Sequence, residues 1–364
     1  MSAPAPRPRP KTEVVVIGAG QAGLSAAYHL QRAGLAPLRG FVVLDASPEP
    51  GGAWRERWPS LTLSTVNRIH DLPGMAFSEV VDPEASEVQA RTAVPAYFAA
   101  YEERFALPVQ RPVQVASVRA DGERFRVTTD RGEVSARGVI NATGTWDKPH
   151  VPHYPGVERF RGRQLHTRDY RTAAEFAGQH VIVVGAGISA VQLLDEVSRV
   201  TSTTWVSRRP PDFRPGPFDE AAGRRAVAQV EERVRRGLPP LSVVSVTGLP
   251  VTPRVEAMRR RGVLERRPMF SEVLEDGVRW EDGTTQAADV ILWCTGFRWS
   301  LDHLEPLDLL EPSGGIAMTG RLATQVAKAP RLHLVGYGPS ASTIGANRAG
   351  RAAVAELLEL LGLP

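Results

Sequence analysis

The residues best placed to do chemistry in this chain are glycines. Gly18-Ala19-Gly20-Gln21-Ala22-Gly23 follows the β-branched run Val14-Val15-Val16-Ile17 and opens an apolar stretch at helical spacing. Such a turn lets the first Gly bend sharply and the second admit a pyrophosphate against bare backbone. The third lets helix and strand pack closely, and the helix N-terminus meets the phosphate charge. Asp45 ends the following apolar run, 22 residues past Gly23, where a carboxylate would accept ribose hydroxyls. The pattern returns as Gly185-Ala186-Gly187-Ile188-Ser189-Ala190 after Val181-Ile182-Val183-Val184, with Ala190 in the third small position. Here the next run ends at Ser207 and enters Arg208-Arg209 with no acid. Guanidinium groups grip a 2′-phosphate that an acid would repel. The first site suits FAD or NAD, and the second suits NADPH.

Each motif must be held by the opening strand–turn–helix of a parallel βαβ unit. Second strands are expected at 41–44 and 204–207. Two later apolar runs stop alike, at Ala142-Thr143-Gly144 and Cys294-Thr295-Gly296. A hairpin is expected between Arg119 and Arg137, and a helix over 346–361. Residues 51–110 carry little regular pattern and read largely as loop. Segment 208–267 holds 14 arginines against 7 acids. That excess reads as solvated helix faces or as a positive field around an anionic ligand.

Composition closes other doors. The 364 residues suffice for two or three domains. With 42% hydrophobic and 23% charged residues the chain falls outside the disordered and fibrous classes. The single cysteine, Cys294, allows neither an intrachain disulfide nor a cysteine-rich metal site, and it is expected to be inert packing. The formal charge of +4 and the pI near 9.5 come with only three lysines among 44 basic residues. That arginine skew reads as base composition, so no nucleic-acid partner is expected. No run approaches the roughly 18 apolar residues of a membrane span. Residues 1–11, rich in Pro, Ala and Arg, lack a secretory core and read as a disordered leader on a cytoplasmic protein.

Two nucleotide sites in one chain suit hydride transfer from nicotinamide to flavin. Here the sequence resembles the two-dinucleotide-binding-domain flavoproteins and, within them, the class B flavin monooxygenases, over about residues 12–350. The resemblance rests on both Gly motifs, Gly51-Gly52-Ala53-Trp54, Ala142-Thr143-Gly144, Cys294-Thr295-Gly296-Phe297 and the segment from Phe160 to Tyr170. That segment is similar to the fingerprint FxGxxxHxxxW, with His166 in place and Tyr170 at the final position.

The resemblance implies an α/β fold of two Rossmann-like domains, the NADPH domain (148–288) inserted into the FAD domain (12–147 and 289–364). It places Gly52 and Trp54 beside the flavin and Val115 against the adenine through its backbone. Thr143-Gly144 and Thr295-Gly296 mark crossings between domains, and Gly336 closes the FAD site. His166 and Asn67 are the catalytic candidates, Asn67 standing in a departure from the family's TNxxK stretch. The implied activity is FAD- and NADPH-dependent monooxygenation: O2 adds at flavin C4a and one oxygen passes to a soft nucleophile, sulfur or nitrogen, of a small substrate. The alternatives are an NADPH oxidase or diaphorase-like reductase that makes peroxide, and Baeyer–Villiger oxidation of ketones.

Overall fold

A computed structural model describes residues 10–66, 69–82, 84, 86–214, 220–241 and 248–364. The chain opens with β1 (Lys11–Ile17), α1 (Gln21–Arg32) and β2 (Phe41–Leu44). After a long loop come α2 (Ala90–Arg104), β3 (Val109–Gln110), β4 (Val115–Asp121), β5 (Arg124–Thr129) and β6 (Gly132–Asn141). β1 lies parallel between β2 and β6, with Val15 opposite both Val42 and Val139. Burial on both faces explains its unbroken apolar run. The leader expected through Lys11 ends earlier, because Lys11 already pairs with Ser135 in this sheet.

A second sheet follows, from β7 (Arg163–His166), β8 (His180–Val184), α3 (Ile188–Val197) and β9 (Ser202–Ser207). The chain continues through β10 (Phe213–Arg214), α4 (Glu220–Arg235), β11 (Leu249–Pro250), α5 (Pro253–Arg260) and β12 (Arg266–Pro268). A small meander, β13 (Glu272–Leu274), β14 (Gly277–Arg279) and β15 (Thr285–Ala287), leads into β16 (Val290–Trp293). The parallel order is β12-β9-β8-β16-β7. The expected return to the first domain at 289 is therefore early, because β16 pairs with β8 and β7 through all four of its residues. A second departure is α4, whose Val234 packs with Leu304, Leu309, Ile316 and Met318 of the first domain.

The first sheet is completed by β17 (Met318–Thr319), β18 (Gln325–Val326) and β19 (Ala329–Leu334), then α6 (Thr343–Leu361). β19 runs parallel to β6, giving the order β17-β18-β19-β6-β1-β2-β3 with the β4–β5 hairpin on β6. α1 and α6 cross over one face. Gly350 lies so close to α1 that a Cβ there would stand 2.8 Å from Ser25 Oγ.

The 51–110 region is not all loop. α2 buries Val94, Tyr97, Phe98 and Tyr101 against this same core. Its apolar residues run nearly all round the helix and Pro95 interrupts them, which hides the 3.6-residue period.

Candidate functional site

The two Gly turns stand at the carboxyl ends of their strands, where open α/β sheets bind ligands. At the first, Gly18 N–H donates to Leu44 O at 2.7 Å and Ala142 N–H to Ile17 O at 2.8 Å. At the second, Gly185 N–H donates to Val206 O at 2.9 Å and Cys294 N–H to Val184 O at 2.8 Å. The internal repeat thus extends to tertiary hydrogen bonds and makes Ala142 and Cys294 equivalent. Gly18 (φ +97°) and Gly185 (φ +140°) need glycine twice over. A Cβ would stand 2.7 Å from Ala142 O at one and 2.3 Å from Cys294 O at the other.

A cleft of about 1330 Å³ opens at the first turn. Gly18, Gly20, Asp45, Gly52, Trp54, Val115, Thr143, Gly144, Thr295, Gly296 and Gly336 all line it. Gly23 stands behind the wall, where a Cβ would meet Gly18 O at 1.9 Å, so its part is close packing. Asp45 is oriented by a device with no local signal in the sequence: Arg111 Nε donates to Asp45 Oδ2 at 2.9 Å, and Arg111 is forked onto Glu102 at 2.6 and 2.7 Å.

The two crossings run side by side. Ser300 N–H donates to Gly144 O at 3.0 Å, Arg298 N–H to Lys148 O at 2.8 Å and His150 N–H to Gly296 O at 3.0 Å. Their side chains wall the far end of the cleft with Trp146 stacked on Phe297, the ring centroids 5.0 Å apart. Arg57 lies over Trp146, its guanidinium carbon 4.5 Å from the ring centroid, and 5.7 Å from that of Trp54. Its Nε is buried without a hydrogen-bond partner, and burial pushes the guanidinium pKa down to about 10. The sequence offers a faint signal for it: Arg57 N–H bonds back to Trp54 O, one tight turn beyond the Gly51–Trp54 motif.

His166, expected to be catalytic, is not among the residues that line the cleft. The ring is 3% exposed, its Nε2–H donates to Gly296 O at 2.9 Å and its Nδ1 accepts from Arg168 N–H at 3.1 Å. Both nitrogens are used, the tautomer is fixed, and burial holds the pKa below the ordinary value. It ties β7 to the second crossing. Asn67 lies outside the described residues.

At the second turn, Gly187 has open space where a Cβ would point, while Ala190 is fully buried at the start of α3. Arg208 and Arg209 are exposed and make no ion pair or side-chain hydrogen bond with a described residue. The surrounding arginine excess is largely consumed in structure. Asp195, 1% exposed, takes Arg199, Arg254 and Arg261 together, and Arg235 pairs with Glu231. Tyr170 is buried away from the cleft, its hydroxyl donating to Glu196 at 2.8 Å. Cys294 is buried, and desolvation pushes its thiol up to about 12, far from the thiolate that redox chemistry needs.

These residues fit two nucleotides. Positions 20, 144, 187 and 296 each leave room for a ligand where a side chain would fill it. The cleft, larger than the roughly 300–1,000 Å³ of an ordinary pocket, is lined by the first turn, and none of residues 185–190 or Arg208 and Arg209 lines it. Fold and cleft together define a flavoprotein that takes two nucleotides. The family model for pyridine nucleotide-disulphide oxidoreductases matches residues 15–217. The chain belongs to that family and, within it, to the class B flavin monooxygenases. The flavin-containing monooxygenase from Stenotrophomonas maltophilia is 40% identical, with a TM-score of 0.80 over 96% of this chain and 99% of that one. The uncharacterized oxidoreductase CzcO of Bacillus velezensis is 26% identical over 311 residues, 83% of this chain and 86% of its own. Indole-3-pyruvate monooxygenase YUCCA1 of Oryza sativa subsp. japonica is 35% identical over 189 residues, 51% of this chain and 45% of its own. The chain is an enzyme, and FAD and NADPH are its cofactors. No helix among the described residues is long and apolar enough to cross a membrane.

Proposed function

We propose that the chain transfers one oxygen atom of O2 to the sulfur or nitrogen of a small organic molecule, with NADPH as reductant. The turn at 18–23 and Gly52 hold FAD, Asp45 its ribose and the Val115 backbone its adenine. The turn at 185–190 holds NADPH, with Arg208 and Arg209 on its 2′-phosphate. The crossings set the domain boundaries, Lys148 to Cys294 forming the inserted unit. Bound FAD, reduced by NADPH, supplies the oxygen activation; the protein positions the partners and keeps water out.

The observation that carries the choice of sulfur or nitrogen is the state of His166. It is neutral, enclosed and hydrogen-bonded at both nitrogens, so it offers no proton acceptor to a substrate. Lys148, on the cleft wall, is committed to Asp302. Thioethers and amines carry a lone pair that needs no base, and aromatic walls such as Trp54, Trp146 and Phe297 favour sulfur contacts. One observation favours a second reading, oxidation of a ketone: Arg57 places a cation in the cleft, which would stabilise negative charge developing during attack on a carbonyl.

The test is NADPH and O2 consumption by the FAD-loaded protein with a thioether, a tertiary amine and a cyclic ketone, with peroxide measured in parallel. Sulfoxide or N-oxide formed stoichiometrically with NADPH is expected. Lactone alone would transfer the assignment to the ketone reading. Peroxide matching all NADPH consumed, whatever is added, would leave only an oxidase.

A further inference from the structure

The chain holds 41 arginines, and the buried or half-buried ones are nearly all tied down. Arg111 is forked onto Glu102 and bound to Asp45. Arg254 and Arg261 share Asp195. Arg124 is spread over Ser135 and Thr12 O, and Arg266 donates to Ser207 O. Two on the cleft wall depart: Arg168, whose side chain has no hydrogen bond or ion pair with a described residue, and Arg57. No described carboxylate or carbonyl receives a hydrogen bond from its guanidinium, and its Nε is sealed from solvent without a partner. Its neighbours are two indole rings, Trp54 and Trp146, and all three side chains line the cleft.

A guanidinium withdrawn from water without an acceptor is costly, and stacking on indole recovers part of that cost while leaving the edge donors unused. Planar N–H donors of this kind match a carboxylate in fork geometry. The lining carboxylates do not serve. Asp45 is held by Arg111 and Asp302 by Lys148, while Glu56 and Asp147 are exposed and not paired with Arg57. The pyrophosphate of a bound FAD has the backbone of the 18–23 turn, so it does not need this cation.

We propose that Arg57 is a specificity-determining residue that binds a carboxylate of the substrate, and that this substrate carries a flat apolar body seated against Trp54. The inference deepens the monooxygenase reading and rests on it: the acid end is anchored at Arg57 while the oxidisable sulfur or nitrogen lies toward the flavin. The substrate class is then small acids with an aromatic or thioether body.

Binding can be separated from turnover. Calorimetry on the oxidised, FAD-loaded protein, without NADPH, would compare phenylacetate with phenylacetamide, and phenylthioacetate with its amide. The wild type is expected to bind each acid about tenfold or more tightly than its amide, as a charge-assisted pair implies. In Arg57→Gln that ratio should fall to near one. In Arg57→Lys, which keeps the charge and loses the fork, it should be intermediate. Because each ratio is taken within one protein, a change in FAD content or folded fraction cancels. Equal affinity for acid and amide in the wild type would overturn the proposal without any variant. So would an unchanged ratio in Arg57→Gln. A separate arm measures oxygenated product from phenylthioacetate and its amide with NADPH and O2. No product from either, with acid binding intact, would defeat the monooxygenase reading and leave the carboxylate site standing.

Discussion

Arg208 and Arg209 stand at the end of β9 with no competing partner among the described residues, so their guanidiniums are available to a ligand. A hydrogen bond to a charged group contributes roughly 1.5–3 kcal/mol, and about 1.4 kcal/mol is tenfold. Replacing both with Ala should cut the preference for NADPH over NADH by on the order of tenfold or more, read as the ratio of kcat/KM values. An unchanged ratio would make them ordinary surface residues. A second expectation concerns pH. His303 and His333 are buried, and desolvation lowers both to about 4 from an ordinary 6.5. Between those values the unfolded chain binds protons that the fold refuses, so stability is lost as pH falls below about 6.5. The loss is about 2 kcal/mol per ring by pH 5. Denaturant midpoints at pH 7 and 5 under saturating FAD should show it. His303→Gln, which can still donate to Asn141 Oδ1 (2.7 Å from Nε2 in the native ring), should reduce the drop. At this scale the sequence was legible wherever a residue's task is local. Gly18 and Asp45 line the cleft and Arg208 follows the end of β9, positions that the strand–turn–helix pattern alone predicts. Arg57 and Arg111 were not legible, because their meaning comes from Trp146, Asp45 and Glu102, brought in by other elements.

α2 holds the loop before it through two tyrosine hydroxyls, of which Tyr101 Oη donates to Pro73 O at 2.7 Å. Tyr97 Oη accepts from Leu72 N–H at 2.7 Å and donates to Met75 O at 2.6 Å, all within the core below α1. Tyr97→Phe keeps the ring and strands both backbone groups, and each buried unsatisfied group costs roughly 1–3 kcal/mol. The variant should lose several degrees in Tm, with faster proteolysis in residues 69–82. An unchanged melting curve would mean that water reaches Leu72 and Met75 and replaces the hydroxyl. The central parallel strands β1, β2, β6, β8, β9 and β16 were legible to within a few residues, since fully buried parallel strands are short β-branched runs, whereas β3, β7, β12 and β17–β19 were not read. Phe41–Leu44 falls as expected, while β9 starts two residues before the run read from Thr204. α2 escaped because its solvent face carries Ala96 and Ala99, which mask the 3.6-residue period of the buried face. α4 lies within the charge-rich segment, yet its Val234 is turned into the first domain.

At the scale of the molecule, the repeat of two turns was enough to read two nucleotide domains, one inserted in the other. Ala142-Thr143-Gly144 follows β6 of the first sheet and Cys294-Thr295-Gly296 follows β16 of the second, whose four residues pair with β7 and β8. That insertion has a consequence for the order in which the protein can be made. Val139 and Ile140 of β6 pair with Leu332 and His333 of β19, and Ser25 of α1 donates to Asn347 O of α6 at 3.2 Å. The domain begun first on the ribosome is finished last. For about 190 residues of synthesis, β6 presents an open, apolar edge, while the strands of the inserted unit, all between 163 and 293, are already complete. A chain stopped after Ala327 should purify without flavin colour and scatter light as it self-associates, whereas one stopped after Leu361 should do neither. Colour in the shorter chain would show that α1 and β1 hold FAD unaided. Premature termination or a slow ribosome at this stage would hand quality control a protein with one finished half and one adhesive one.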